Sequence, residues 1–313
     1  MDPSVVVERA KKDELGFVAS IHNICFRDQI SHLAKYGYHE VDAKEVERWF
    51  GRGQILLART KERIIGYLDF AVCENQGERY GVAVENEPHW LGQGKIGVLP
   101  EERRRGVAST LIRHAIRISR SAGCADFRVS VYSDNTPARR LLDKLRFKRI
   151  TPDVVLAERD LRSPLPQCAP PKGVTIEPGN PQNIDGYVAF FDQIRTYYGS
   201  YSDARSYVRG ILTDDESAGC LFAKSGGQVV GCILADKVAN SGFIGLPGVL
   251  PEHRRRGIGS ALMASMLALL RNKGFEVAVT DSETSRQPAL RLYWRTGFTE
   301  ARRRLSYRHG CQS

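Results

Sequence analysis

The chain has 313 residues, of which 42% are hydrophobic and 26% charged, and a formal net charge of +10. These values fit a soluble globular protein of two ordinary domains. No apolar run approaches the ~18 residues of a membrane helix, and the N-terminus lacks the pattern of a secretion signal. We therefore expect a cytoplasmic protein without a membrane partner.

The seven cysteines are scattered and form no Cys-x-x-Cys pair. Zinc sites usually use such closely spaced ligands, so we expect no metal. An odd number of widely spaced cysteines is typical of reduced thiols in a cytoplasm.

The first half begins with a predicted strand at 4–8, and the next elements follow from periodicity and turn residues. They are helices at 13–25 and 41–50, a hairpin of 54–59 and 63–72, a strand at 93–99, a helix at 106–122, a strand at 127–132, a helix at 137–145 and a strand from 147. Segment 73–88 is expected to be an irregular insertion.

A proline-rich segment separates the halves. Residues 160–173 contain four prolines, which exclude a helix interior and indicate an extended linker. The predicted domains are therefore 1–159 and 174–313. The second half repeats the order of the first, with strands at 174–177, 220–224, 228–236, 243–249, 275–280 and 298–307, and helices at 182–197, 204–211, 258–273 and 287–295. A hairpin followed by a strand–helix–strand unit predicts an α+β fold with a mixed sheet.

One motif occurs twice. Val-Leu-Pro-Glu-X-Arg-Arg-Arg-Gly spans 98–106 and again 249–257. Between 97–111 and 248–262, eleven of fifteen positions are identical at a constant offset of 151 residues. Each copy lies between a predicted strand and a predicted helix. The duplication predicts two domains of common ancestry.

Each copy has the residues of a phosphate site. The start of a helix carries free N–H groups and about half a positive charge. Glycine lets an anion approach the backbone closely, and arginine adds forked donors. No Gly-Lys-Ser/Thr follows, so the motif is not a Walker loop. The alternative is a solvated basic turn, which the duplication makes the weaker interpretation.

The pattern Val-x-Pro-x-x-Arg-x-x-Gly-x-Gly/Ala resembles motif A of the Gcn5-related N-acetyltransferase (GNAT) superfamily, and the resemblance covers both halves. It implies an α+β protein with two tandem domains, each a mixed, mostly antiparallel sheet flanked by helices. It also implies acetyl-CoA as cosubstrate and an amine as acceptor. In this family the loop binds pyrophosphate, and the preceding strand bonds the pantetheine arm as an added strand would. The positions implied in CoA binding are Val98, Arg103, Arg104, Arg105, Gly106, Val107, Ala108 and Asn135 in the first half, and Val249, Arg254, Arg255, Arg256, Gly257, Ile258 and Gly259 in the second.

A second motif of the family distinguishes the two halves. It places a tyrosine, by resemblance the general acid, ahead of a Gly-Phe pair. The second half has Tyr293 at this position, whereas the first has Leu142, and Arg146 stands where the glycine would be. A phenol can protonate a thiolate and leucine cannot. We therefore expect the second half to be catalytic and the first to bind acyl-CoA without turnover or to act as a scaffold.

A general base is less apparent. The candidates are Asp236, at the end of one strand, and Glu283, just past another, and each could equally be a structural carboxylate. Pro247 has no N–H, so the strand before the second loop lacks one hydrogen-bond donor. Six aromatic residues are candidates for an acceptor pocket: Phe190, Phe191, Tyr197, Tyr198, Tyr201 and Tyr207.

Two other functions remain open from the sequence. One is a non-catalytic acyl-CoA-binding or sensing protein. Two residues favour it: Pro247, which lacks a strand N–H, and Arg286, which stands where the second motif has asparagine. The other is nucleic-acid binding, suggested only by the net charge of +10. The arginine loops account for six of the positive charges, and no zinc-finger or RNP pattern favours nucleic acid. We therefore expect CoA and an amine as the partners.

Overall fold

We describe the fold from a computed structural model that covers residues 5–33, 39–75, 77–83, 96–198, 204–213, 217–238 and 240–311. The helices are Leu15–Leu33 (α1), Ala43–Arg52 (α2), Val107–Ser121 (α3), Thr136–Lys144 (α4), Ile184–Tyr198 (α5), Ala204–Thr213 (α6), Ile258–Asn272 (α7) and Gln287–Arg295 (α8). The strands are Val6–Arg9 (β1), Gln54–Arg59 (β2), Ile64–Asn75 (β3), Glu78–Val82 (β4), Ile96–Val98 (β5), Asp126–Tyr132 (β6), Lys148–Asp160 (β7), Val174–Pro178 (β8), Ser217–Ser225 (β9), Gln228–Val238 (β10), Ser241–Val249 (β11), Val277–Glu283 (β12) and Thr299–Gly310 (β13). No helix in these ranges is long and apolar enough to cross a bilayer.

The chain forms two compact units with the same order of elements. In the first, the strand order is β1-β2-β3-β4-β6-β13, and β5 pairs with β3. In the second it is β7-β12-β11-β10-β9-β8. Within the units, β4 with β6 and β11 with β12 are parallel pairs, whereas the other pairs are antiparallel. The expected α+β architecture, with mixed and mostly antiparallel sheets, is confirmed.

The units differ from the ranges 1–159 and 174–313 in their closing strands. Residues 303–311, most of β13, cluster with the first unit, and 154–160 of β7 cluster with the second. Strand β13 pairs with β6 through seven registered residues, and Leu305 and Tyr307 are buried in the first core. In the second unit, β7 pairs with β12 over 154–160.

The helix that follows each arginine loop covers its sheet with an apolar side. In α3 the buried positions are Val107, Leu111, Ile112, Ala115, Ile116 and Ser119. Their spacing of three and four residues puts them on one face. In α7, eight of fifteen residues are buried. These contacts fix the start of each helix, and therefore the loop, against the sheet.

One predicted irregular segment contains a strand. Residues 78–82 form β4, which pairs with β3 and, in parallel, with β6. The sequence Glu-Arg-Tyr-Gly-Val lacks a clear alternating pattern, so tertiary pairing rather than local propensity decides its conformation. Residues 73–75, also expected to be irregular, extend β3, and residues 76 and 84–88 lie outside the described residues.

In the second unit, strands β11 and β12 part after Phe243, six residues before β11 ends and the arginine loop follows. They are paired only from Ser241↔Val277 to Phe243↔Val279. Thr280 Oγ1 then donates a hydrogen bond to the Ile244 carbonyl at 2.8 Å. Beyond this point β11 continues to Val249 paired with β10 alone. The divergence leaves one edge of β11 open in front of the loop.

Candidate functional site

The two arginine loops follow the same backbone path. Each begins with a short 3-10 turn, Pro100–Glu102 or Pro251–His253. The middle arginine is left-handed in both, with φ of 64° at Arg104 and 59° at Arg255. The glycine that precedes each helix has φ of 88°. The similarity in sequence is therefore also a similarity in conformation.

Glycine leaves each helix start open to an anion. Gly106 and Gly257 have no side chain with which to cap the first N–H groups of α3 and α7. A Cβ built at Gly106 meets nothing within 4 Å, so the positive φ, not lack of space, calls for glycine there. At Gly259 a Cβ would make ordinary contacts of 3.7 and 4.0 Å, which explains how Ala108 can occupy that position in the first loop. These features fit a bound pyrophosphate.

The first arginine of each loop braces the loop. Arg103 Nε donates to the Val98 carbonyl at 3.1 Å, and Arg254 Nε donates to the Val249 carbonyl at 2.9 Å. Arg105 forms an exposed ion pair of 3.1 Å with Glu102. The remaining positions, Arg104, Arg255 and Arg256, are exposed. The six arginines therefore do not contribute equally to an anion site, a distinction that the sequence did not show.

The strand before each loop presents an N–H group outward. Leu250 N donates to Val230 O and Leu99 N to Ile65 O, both at 3.0 Å. Because successive residues of a strand point their N–H groups to opposite sides, the amides of Val249 and Val98 point away from β10 and β3. At Val249 this is the open edge of β11. Pro247 lies where the register of β10 and β11 shifts, between Cys232 and Leu234, a place in a sheet where proline is tolerated.

Tyr293 and Leu142 occupy matching places on α8 and α4. Tyr293 is 3% exposed and its ring lies 5.8 Å from that of Phe298. Leu142 is 2% exposed. The amide of Phe298 donates to Tyr293 O, and the amide of Phe147 donates to Leu142 O, at 3.0 Å in each case. The two helices therefore end in the same way, and the hydroxyl distinguishes their buried side chains.

Asn135 has a structural contact in this structure. Its Oδ1 accepts a hydrogen bond of 3.2 Å from Ala138 N and caps α4. Arg286 stands at the start of α8 without a side-chain cap and lies 3.7 Å from Glu283. The role of Asn135 in CoA binding stays a prediction.

Asp236 and Glu283 lie on the same face of the second sheet. Asp236 pairs with Phe243, which pairs with Val279, at the last rung before β11 and β12 part. Glu283 follows Val279 by four residues, so its side chain points to the same side. Its Oε2 accepts a 3.1 Å hydrogen bond from Ser285 Oγ. The structure brings both candidate bases to the region where the strands diverge.

Of the six aromatic residues expected around an acceptor, Phe190 and Phe191 are each 1% exposed and belong to the second core. The side chains of Tyr197, Tyr198 and Tyr207, and all of Tyr201, lie outside the described residues.

A buried polar pair in the first unit was not found from the sequence. His22 Nδ1 lies 2.7 Å from Tyr67 Oη, and both residues are fully buried. Burial, followed by the nearby Cys25 and Asp69, raises the pKa of Tyr67 well above its usual value. Tyr67 pairs with Gly97 on the neighbouring strand, and Cys232 pairs with Gly248, the equivalent glycine of the second unit. The second unit therefore has a cysteine at the position of Tyr67. The partners are 45 residues apart, and no local pattern links them.

A family model described as "Acetyltransferase (GNAT) family" matches residues 18–147 and 187–298, more than half of the chain. The chain belongs to the GNAT acetyltransferase family. It is an N-acetyltransferase, and members of the family use acetyl-CoA. The expectation drawn from the doubled loop is confirmed at this level.

The acetyltransferase is similar over most of its length to curated bacterial proteins. It is 30% identical to a mycothiol acetyltransferase of Thermomonospora curvata over 217 residues, covering 66% of this chain and 70% of the relative. A mycothiol acetyltransferase of Clavibacter sepedonicus is 27% identical over 227 residues, which cover 69% and 72% of the two chains.

Solved structures share the fold. A GCN5-related N-acetyltransferase from Sphaerobacter thermophilus has a TM-score of 0.71 and 20% identity, covering 100% of this chain and 98% of the other. A tandem GNAT protein from the clavulanic acid biosynthesis pathway has a TM-score of 0.70 and 15% identity, with 99% of each chain covered. The tandem arrangement expected from the repeat is confirmed.

Proposed function

We propose that the second unit transfers the acetyl group to a primary amine, with Tyr293 as the general acid. The observation that carries this proposal is the contrast between two otherwise similar helices. Tyr293 and Leu142 are both almost fully buried and both are followed by the same turn. The second unit alone has an ionisable hydroxyl at this position.

Acetyl-CoA supplies the acetyl group as a reactive thioester. The amides at the start of α7 would hold its pyrophosphate, and the Val249 amide its pantetheine arm. Tyr293 then donates its hydroxyl proton to the thiolate sulfur as the amine displaces it. A phenol with a pKa near ~10 is a weaker acid than the thiol it forms, whose pKa is near ~8.5, so the direct proton transfer is uphill by about 2 kcal/mol. Solvent then returns a proton to the tyrosinate, and at neutral pH both the phenol and the thiol end protonated.

A base is needed because an alkylamine with a pKa near ~10.4 is almost entirely protonated at neutral pH. Of the two carboxylates, we favour Asp236. The Glu283 carboxylate is held by residues of its own turn: it accepts a hydrogen bond from Ser285 and lies 3.7 Å from Arg286. Asp236 lies at the rung where β11 leaves β12.

The acceptor that we propose is a small primary amine. The relatives that cover most of the chain bear the name mycothiol acetyltransferase, which supports a small-molecule acceptor over a protein. None of the seven cysteines, all of which lie in the described ranges, forms a disulfide, which supports action in the cytoplasm.

For the first unit we propose acyl-CoA binding without turnover. Its loop has the same conformation as the second, but Leu142 cannot donate a proton. The alternative of a binding or sensing role therefore applies to the first unit.

The test is thiol release from acetyl-CoA with a panel of primary amines. We expect amine-dependent turnover that falls at least ten-fold in Tyr293→Phe, with little change in CoA affinity, because only the proton donor is removed. Tyr80→Phe removes a hydroxyl from a buried tyrosine of the first unit and serves as the control. Wild-type turnover in Tyr293→Phe would refute the role of Tyr293. Asp236→Asn should lower the rate more than Glu283→Gln.

A further inference from the structure

A run of basic residues extends from α4 into β7. We call residues 139–149 the cationic segment; it contains six basic residues and one acid, Asp143, for a net charge of +5. The basic residues are Arg139, Arg140, Lys144, Arg146, Lys148 and Arg149. The matching residues of the second unit, 290–300, contain two arginines and one glutamate, for a net charge of +1. The same element of the fold therefore forms without this charge.

Four of the six cations are available to a partner. Arg140, Lys144, Arg146 and Lys148 are exposed, and none has an ion-pair partner within the part of the chain that the structure describes. The other two are engaged. Arg149 pairs with Asp153, and Arg139 Nη1 donates to the Ser133 carbonyl at 3.0 Å. Unpaired cations at this density repel one another, so the segment attracts anions.

Arg146 occupies a backbone conformation that favours glycine. Its φ is 61°, and the second unit places Gly297 at the matching position with φ of 85°. A side chain in this left-handed region costs about 1 kcal/mol. The exposed Arg146 side chain makes no ion pair that would offset this cost. The turn that ends α4, closed by the hydrogen bond from Phe147 N to Leu142 O at 3.0 Å, requires this conformation, so an arginine in place of glycine adds a charge at a backbone cost.

The chemistry of the segment favours a phosphate backbone. Arg140 and Lys144 are one helical turn apart, so their Cβ atoms lie about 6 Å from each other on one face of α4. The exposed large hydrophobic residues in the described ranges are Val6, Phe17, Ile24 and Trp294, and all lie outside the segment. A helix that inserts into a membrane interface has apolar anchors, and single strands stack on aromatic side chains; the segment exposes neither kind of side chain. A duplex backbone needs only regularly placed cations.

We propose that the cationic segment binds the phosphate backbone of double-stranded nucleic acid without reading its sequence. The sequence motifs alone did not favour such a partner. What favours it is the set of exposed, unpaired cations together with the left-handed Arg146. The proposal does not depend on which unit transfers the acetyl group.

The test is fluorescence anisotropy of a labelled 20-base-pair RNA duplex with the full-length protein. Saturating CoA is present throughout, because the arginine loops could otherwise bind phosphate themselves. Arg146→Gly should weaken binding about ten-fold at about 50 mM salt and reduce the slope of log affinity against log salt by about 1. The same variant should melt at a higher temperature, because glycine suits the left-handed position. Loss of binding therefore cannot be ascribed to misfolding.

A matched pair of variants tests whether the duplex binds at the cationic segment. Lys144→Ala should weaken duplex binding, whereas Arg295→Ala, at the matching exposed position of α8, should not. A DNA duplex of the same length should bind with a similar salt dependence. The proposal is overturned if the duplex does not bind with CoA present, if Arg146→Gly binds as tightly as wild type, or if poly-glutamate competes as well as the duplex. The last result would indicate an acidic protein partner instead.

Discussion

At the scale of single residues, the left-handed residue that follows α8 is Gly297, whereas the one that follows α4 is Arg146. Only the first unit has room for a side chain at this position. Gly297 has no such room. A Cβ built there collides with the guanidinium of Arg159, which donates to the Pro164 carbonyl at 2.5 Å. Burial lowers the pKa of Arg159, in keeping with a side chain enclosed by the fold. Arg146, at the matching position, avoids this conflict.

We predict that Gly297→Ala lowers the free energy of unfolding by about 2 kcal/mol, from backbone strain and from displacement of Arg159. Gly274→Ala is the control, because Gly274 also has a positive φ, of 87°, but a Cβ there meets nothing within 4 Å. It should cost about 1 kcal/mol. Urea unfolding measures both, and equal losses would show that Arg159 moves away without penalty.

Sequence alone identified some of these residues. The arginine loops were recognisable because eleven of fifteen positions repeat and the chemistry is local. The bracing role of Arg103 and Arg254 was not, since it depends on a carbonyl five residues earlier that only the folded turn brings close. The His22–Tyr67 pair joins a helix to a strand, and nothing in either segment indicates the other.

At the scale of elements, the short helices α4 and α8 differ in the residue that precedes each of them. Asn135 accepts a hydrogen bond from the helix backbone, whereas Arg286 provides no side-chain cap. A good N-cap stabilises a helix by about 1 kcal/mol relative to a residue that cannot cap. The two helices therefore offer reciprocal substitutions.

Asn135→Ala should lower the free energy of unfolding by about 1 kcal/mol, and Arg286→Asn should raise it by a comparable or smaller amount. Denaturant titrations of the two variants and wild type provide the measurement. If Arg286→Asn is neutral or destabilising, the contact of Arg286 with Glu283 contributes more than the structure indicates.

Most elements followed from periodicity and turn chemistry. The hairpin predicted at 54–59 and 63–72 is present as β2 and β3, and the helix predicted at 287–295 is α8. Strand β4 was missed because its five residues depend on pairing with β3 and β6 rather than on their own pattern. The point at which β11 and β12 separate could not be predicted either, because the sequence of neither segment specifies the register of the pair.

At the scale of the whole molecule, the compact units share a chain that does not divide cleanly in sequence. The last strand, β13, adds to the sheet of the first unit beside β6. A sequence repeat predicts two similar domains but not which sheet a closing strand joins, because tertiary contacts rather than the repeat decide strand pairing. The prolines predict a linker at 160–173, but these residues cluster with the second unit, and nothing in the local sequence predicts that β13 joins the first.

We predict that truncation after Arg302 destabilises the first unit, although it removes residues far from it in sequence. The loss of Leu305 and Tyr307 exposes apolar surface on β6, including Val129, which is 4% exposed in the intact chain. Amide hydrogen exchange of β6 should accelerate by at least ten-fold. Unchanged protection in β6 would contradict the assignment of β13 to this unit.

We propose that acetyl transfer depends on the arginine loop of the second unit. It is tested most directly by comparing turnover in Gly257→Glu and Gly106→Glu. Both glycines have φ of 88°, so the two variants carry the same backbone strain, and each places a carboxylate where phosphate would bind. We predict that Gly257→Glu is slower than Gly106→Glu by at least ten-fold, with similar melting temperatures. Equal rates, or a slower Gly106→Glu, would show that acetyl transfer does not depend on the arginine loop of the second unit.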